Sequence, residues 1–110
     1  MLLRLQSGPA LTKARRLHAV VLVCGHRHNA VLFTQLVQVY ARLGQIEHTL
    51  LVLDGMPRRN SFAWNAAIKG LVDAGRFSEA LETYQAMVDD WSAAADGFTY
   101  QPVIKACAAL

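Results

Sequence analysis

The chain has 110 residues, 54% of them apolar, with a mean hydropathy of +0.23 and a formal net charge of +3. That length bounds it to one small domain, and its longest unbroken apolar stretch, Ala19–Cys24, is far short of the roughly 18 residues that cross a bilayer. Cys24 and Cys107 stand far apart with no CxxC, which excludes a disulfide framework and suits a reducing compartment. The charge is unevenly placed: +6 through Asn60, −3 from Ser61 onward, and no acid before Glu47. A basic leading half fits either an anionic partner such as nucleic acid or an organelle-targeting N-terminus, and charge alone leaves both open.

In chain order, residues 1–12 read as a short leader. "TKARRLHAVVLVCG" (Thr12–Gly25) follows as an amphipathic helix. "CGHRH" (Cys24–His28) clusters three metal-ligand types, but no fourth ligand stands at a suitable spacing, so it reads as a polar loop with no metal. Thr34–Met56 and Asn65–Met87 then state one pattern twice, with Gly44/Gly75, Leu50/Leu81 and Met56/Met87 each 31 positions apart. Val37, Tyr40 and Ala41 in the first segment, and Ile68, Leu71 and Val72 in the second, follow the i, i+3, i+4 spacing of one helix face. Gly44 and Gly75 stand where a left-handed C-cap ends such a helix. Ile46, Leu50, Leu53 and Phe77, Leu81, Tyr84 carry the stripes of the helices that follow, with Ser78 expected to cap the later one and Pro57 to close the earlier unit. "FTYQPVIKACAAL" (Phe98–Leu110) reads as one more helix, with Tyr100, Val103, Ile104 and Cys107 as its expected stripe. Trp64 and Trp91 are expected to pack, with partial exposure of Trp91 in an irregular inter-repeat loop left open, and Arg58-Arg59 to lie in a solvated turn, with a phosphate contact as the alternative. The sum is an all-α chain: an α-solenoid of stacked helix–turn–helix repeats with about six helices, beginning and ending in mid-repeat. Terminal helices without partners are expected to make the chain associate.

"SFAWNAAIKGLVDAGRFSEALETYQAM", with its aromatic-Asn pair, Gly-Arg turn and Glu-Ala-Leu, resembles the standard repeat of the pentatricopeptide repeat family. Residues 30–60, ending near Met-Pro, resemble its short variant. Residues 97–110, with Lys-Ala-Cys, resemble the start of its long variant, and residues 13–29 that variant's second half; residues 61–96 are the standard unit. The order resembles the plant organellar subclass built from these three variants.

The resemblance implies binding of single-stranded organellar RNA, one base per repeat, by an editing or processing factor that other editing-complex proteins could join. It implies residence in a mitochondrion or chloroplast. The implied base-reading residues are Thr34 with Asn60 and Asn65 with Asp96; Val31, Phe62 and Phe98 are the implied apolar neighbours of the bases, and Arg42 the implied phosphate contact. Asp73 replaces the corresponding basic residue in the standard unit. No catalytic role or cofactor is implied, since the H-x-E and P-C-x-x-C of zinc deaminases are absent from the sequence. A protein-binding helical scaffold and a truncated, non-functional fragment stay open as alternatives.

Overall fold

The computed structural model describes residues 11–13, 15–16, 18–19, 30–56, 58–91 and 93–110. The expectations for most of the leader, for the Cys24–His28 loop and for Pro57 therefore lie outside the described residues. Five helices are complete: α1 (Ala30–Arg42), α2 (Ile46–Gly55), α3 (Ser61–Asp73), α4 (Phe77–Asp89) and α5 (Gly97–Ala109). The described residues between 11 and 19 are helical too, and none of the described residues is in a strand. Leu11 is helical and 2% exposed, so core packing starts ahead of Lys13.

The apolar stripes decide the layering. Val37, Tyr40, Ile68 and Leu71 are all buried, and α3 packs on α1 on one side and on α5 on the other. Helices α2 and α4 cover this row, each against its own first helix and the next one. Burying each large apolar side chain contributes about 1.5–3 kcal/mol, and most of these contacts cross from one hairpin to its neighbour. Gly70 lets α3 approach α1 closely: a Cβ there would lie 3.1 Å from the Ala41 Cβ.

The two turns are the same device. Gly44 and Gly75 adopt φ of +72° and +76°. Gly44 N–H bonds Ala41 C=O and Gln45 N–H bonds Tyr40 C=O; Gly75 and Arg76 repeat this with Val72 and Leu71. These are paired Schellman bonds, which satisfy carbonyls left over at a helix end.

Four expectations are corrected. Ser78 does not cap α4: the N-cap is Arg76, and the exposed Ser78 already lies within the helix. The Schellman turn hands the chain into α4 directly, and Arg76 uses its side chain on Glu79 and Glu47 instead. On α5 the buried face is Thr99, Val103 and Ala106, while Tyr100, Ile104 and Cys107 are exposed. The helix touches α3 and α4 along one side only, and small residues on that side allow a close approach. Trp91 is 97% exposed, whereas Trp64 is buried as expected. Finally, Arg59 is not a solvated turn residue. Its Nε and Nη2 donate to the Leu53 and Asp54 carbonyls at 2.8 and 2.9 Å, closing the C-terminus of α2. Its guanidinium also lies 5.7 Å over the Trp64 ring and 3.6 Å from Asp90.

Candidate nucleic-acid interface

The last residue of each unit is also the N-cap of the next first helix. Asn60 precedes α3 with extended backbone, and its Oδ1 accepts from Ala63 N–H at 2.9 Å. Asp96 precedes α5 in the same way, and its Oδ1 accepts from Phe98 and Thr99 N–H, completing a capping box with the Thr99 hydroxyl. Each cap then reaches sideways to the fifth residue of the preceding first helix. Asn60 Nδ2 donates to Thr34 Oγ1 at 2.8 Å, and Asn65 Nδ2 donates to Asp96 Oδ1 at 3.1 Å. The fold therefore brings together both residue pairs named from the sequence, although their members are 26 and 31 positions apart.

Donor and acceptor counting shows what each pair can still offer. Thr34 Oγ1 spends its proton on the Ala30 carbonyl at 2.6 Å and one lone pair on Asn60. One acceptor lone pair remains on Thr34, and Asn60 keeps its second amide N–H. Asn65 spends one amide proton on Asp96, and its Oδ1 accepts from the Thr99 hydroxyl. An N–H donor and an oxygen lone pair remain on Asn65, and Asp96 adds the acceptor capacity of its Oδ2.

A groove of about 720 Å³ runs over α1, α3 and α5. Asn65, Asp96, Phe62, Phe98 and Arg42 all line it; Thr34, Asn60 and Val31 do not. Phe62 and Phe98 are 68% and 77% exposed, large apolar rings left on the surface beside a polar pair. Val31 is likewise exposed at the start of α1. Bases stack on such rings at about 1–3 kcal/mol each.

The cations of the groove are Arg42, Lys69 and Lys105, set against Asp73 and Asp96. Lys69 Nζ bonds Asp73 Oδ2 at 2.7 Å, an exposed pair one helical turn apart. Asp73 thus neutralises a neighbour rather than standing alone. Sequence reasoning missed Lys69 and Lys105. The available signal was register: Gln38, Lys69 and Lys105 are the ninth residues of α1, α3 and α5, and all three line the groove. It also missed Thr99, which is buried between Asn65 and Asp96.

Away from the groove, an ionic cluster ties two hairpins together. Arg76 binds Glu79 through two bonds of 2.6 Å and Glu47 of the preceding unit through one of 2.8 Å. Hydrogen bonding to Arg76 holds the Glu79 carboxyl below its ordinary range, and the same bonds raise the Arg76 guanidinium. Tyr40 is buried between His18 and His48, stacked on the latter at 5.2 Å. Burial raises its hydroxyl pKa, and burial followed by the nearby His48 lowers that of His18. No group of three or more metal-ligand side chains occurs among the described residues.

Stacked helical hairpins with a polar pair at each step define a helical-repeat module with a groove along its first helices. The model of the PPR repeat matches residues 31–61, and that of the PPR repeat family matches residues 59–109. Among curated proteins, the chain is similar to the pentatricopeptide repeat-containing protein CRR2, chloroplastic, of Arabidopsis thaliana, at 33% identity over 91% of this chain and 15% of that protein. Two further chloroplastic pentatricopeptide repeat-containing proteins of that plant are 34% and 32% identical over 89% and 90% of this chain, and 19% and 11% of their own lengths. The chain belongs to the pentatricopeptide repeat family, whose members are generally RNA-binding proteins. It spans less than a fifth of the length of these relatives.

Proposed function

We propose that the chain is a sequence-specific, single-stranded RNA-binding module of an organellar RNA editing or processing factor, reading one base per repeat. The observation that carries this reading is the Asn65–Asp96 pair, which lines one groove with the exposed rings of Phe62 and Phe98. A base between the two rings would stack on apolar faces while its edge meets the amide. Asn65 supplies a donor to a uracil carbonyl, and Asp96 orients that amide. Thr34 with Asn60 takes adenine by the family's code, so the two units read 5′-AU-3′. Arg42 contacts phosphate. The long–short–standard order resembles that of the plant organellar subclass, and the reading takes mitochondrion or chloroplast as the compartment; the chloroplastic relatives and the acid-free, arginine-bearing N-terminus support this. A fluorescent fusion of residues 1–46 that stayed in the cytosol would count against the compartment.

Two bases stacking at about 1–3 kcal/mol each give an affinity between about tens of millimolar and tens of micromolar. The test is therefore nuclear magnetic resonance titration of the full chain with hexanucleotides 5′-CCANCC-3′, N being each base in turn. Uracil at N should bind best, and Asn65→Thr should shift the preference toward guanine. Equal binding of all four bases, in both proteins, would sink the reading.

A further inference from the structure

We infer that Thr99 is a positioning residue that locks the Asn65 amide in one orientation and so sets which base the second unit accepts. The inference rests on the reading of Asn65 proposed above. Thr99 is fully buried, yet its hydroxyl meets three polar partners. It accepts from Asp96 N–H at 3.1 Å, donates to Asn65 Oδ1, and lies 3.4 Å from Asp96 Oδ1. A hydroxyl has one proton, and the closer acceptor, Asn65 Oδ1, takes it. On the other side, the Asp96 carboxylate accepts from Asn65 Nδ2 at 3.1 Å.

Rotating the amide by half a turn would set Asn65 Oδ1 against a carboxylate oxygen, acceptor against acceptor. It would also put the NH2 group on Thr99 Oγ1 and send the hydroxyl proton to Asp96 Oδ1, 3.4 Å away. The first contact is repulsive, and the second exchanges a close hydrogen bond for a long one. Asn65 therefore presents its second N–H in one fixed direction. A free amide could turn over and offer an acceptor instead, which would blur uracil against cytosine. The first unit lacks this device: Ala63 occupies the position of Thr99, and the Thr34 hydroxyl is ordered by the Ala30 backbone carbonyl. Thr99 is thus a specificity residue supplied by the next repeat, without itself lining the groove.

The full chain is titrated with the same hexanucleotides as the unaltered protein, Thr99→Val, Thr99→Ser and Asn65→Ala. Thr99→Val keeps the shape and removes the hydroxyl. Its uracil-over-cytosine preference should fall by about threefold or more, the Asp96 contact alone then holding the amide, Thr99→Ser should retain the preference, and the adenine preference of the first unit should stay unchanged in both. If Asn65→Ala loses the preference while Thr99→Val keeps it, the inference fails and the reading of Asn65 stands. If the unaltered chain and Asn65→Ala are equally indifferent to the base, the reading fails, and the inference with it. Should Thr99→Val not fold, Thr99→Ala takes its place: an alanine variant that loses the uracil preference while Thr99→Ser keeps it upholds the proposal, and equal preference in the two overturns it.

Discussion

Asn60 caps α3 with its amide oxygen and holds Thr34 with its amide nitrogen, so one side chain serves the fold and the candidate reading pair together. The two roles can be separated. Asn60→Ala removes both and should cost about 1 kcal/mol in urea unfolding, the ordinary loss of an N-cap. Asn60→Asp keeps the cap acceptor and replaces only the donor toward Thr34. Its stability should stay within about 0.5 kcal/mol of the unaltered chain, while preference at the first base moves from adenine toward guanine. An aspartate variant with unchanged base preference would remove Asn60 from the reading.

Arg59 closes α2, pairs with Asp90 and covers Trp64. Arg59→Ala should destabilise the chain by about 1–2 kcal/mol, since it frees two helix-end carbonyls that had a charged donor. Arg59→Lys should recover less than half of that, because an ammonium cannot span both carbonyls and also lie flat on the indole. A loss in Arg59→Ala below about 0.3 kcal/mol would mean that water serves those carbonyls equally well.

Gly75 has a left-handed backbone but open space around its Cα. Gly75→Ala should therefore act through backbone strain alone, at about 1–2 kcal/mol. Gly75→Asn should cost less, since asparagine tolerates this region. Equal losses in the two variants, read from thermal melts, would point to something other than φ.

Stability should fall in two acid steps. His18 has a lowered pKa in the folded chain, through burial first and His48 second, so it takes a proton more readily when unfolded. The stability it contributes is complete above the unfolded value of about 6.5 and is lost as pH falls through the lower folded value. Glu79 is also depressed, by its bonds to Arg76, and its contribution goes at more acid pH, below the ordinary carboxylate value. His18→Gln should flatten the first step, and Glu79→Gln the second. Urea midpoints across pH 3–8 measure both, and an unaltered first step in His18→Gln would assign it elsewhere.

The repeat could be read from the chain because each hairpin uses local rules. The i, i+3, i+4 stripes of Val37, Tyr40, Ile68 and Leu71 and the left-handed glycines Gly44 and Gly75 need only neighbours in sequence, and all hold in the fold. Local rules failed where a distant partner competed. Ser78 looked like a cap, but the turn entered α4 two residues too early for it. The α5 stripe was misplaced because Thr99 and Ala106, which hydropathy alone ranks below Ile104, face inward toward α3 and α4.

The candidate site divides in the same way. Thr34, Asn60, Asn65 and Asp96 were nameable from the resemblance to the family, which gives those places in the repeat a role. Which atoms meet, and which donors and acceptors stay available, depended on stacking one hairpin on the next. So did the roles of Arg59 and Thr99. Arg59 acts on a backbone carbonyl six positions away and Thr99 on a side chain thirty-four away, and such bonds leave no period in the sequence. Residue spacing determined the helical repeat, and the family resemblance its candidate reading positions; only the packing of α1, α3 and α5 decided how each pair is held.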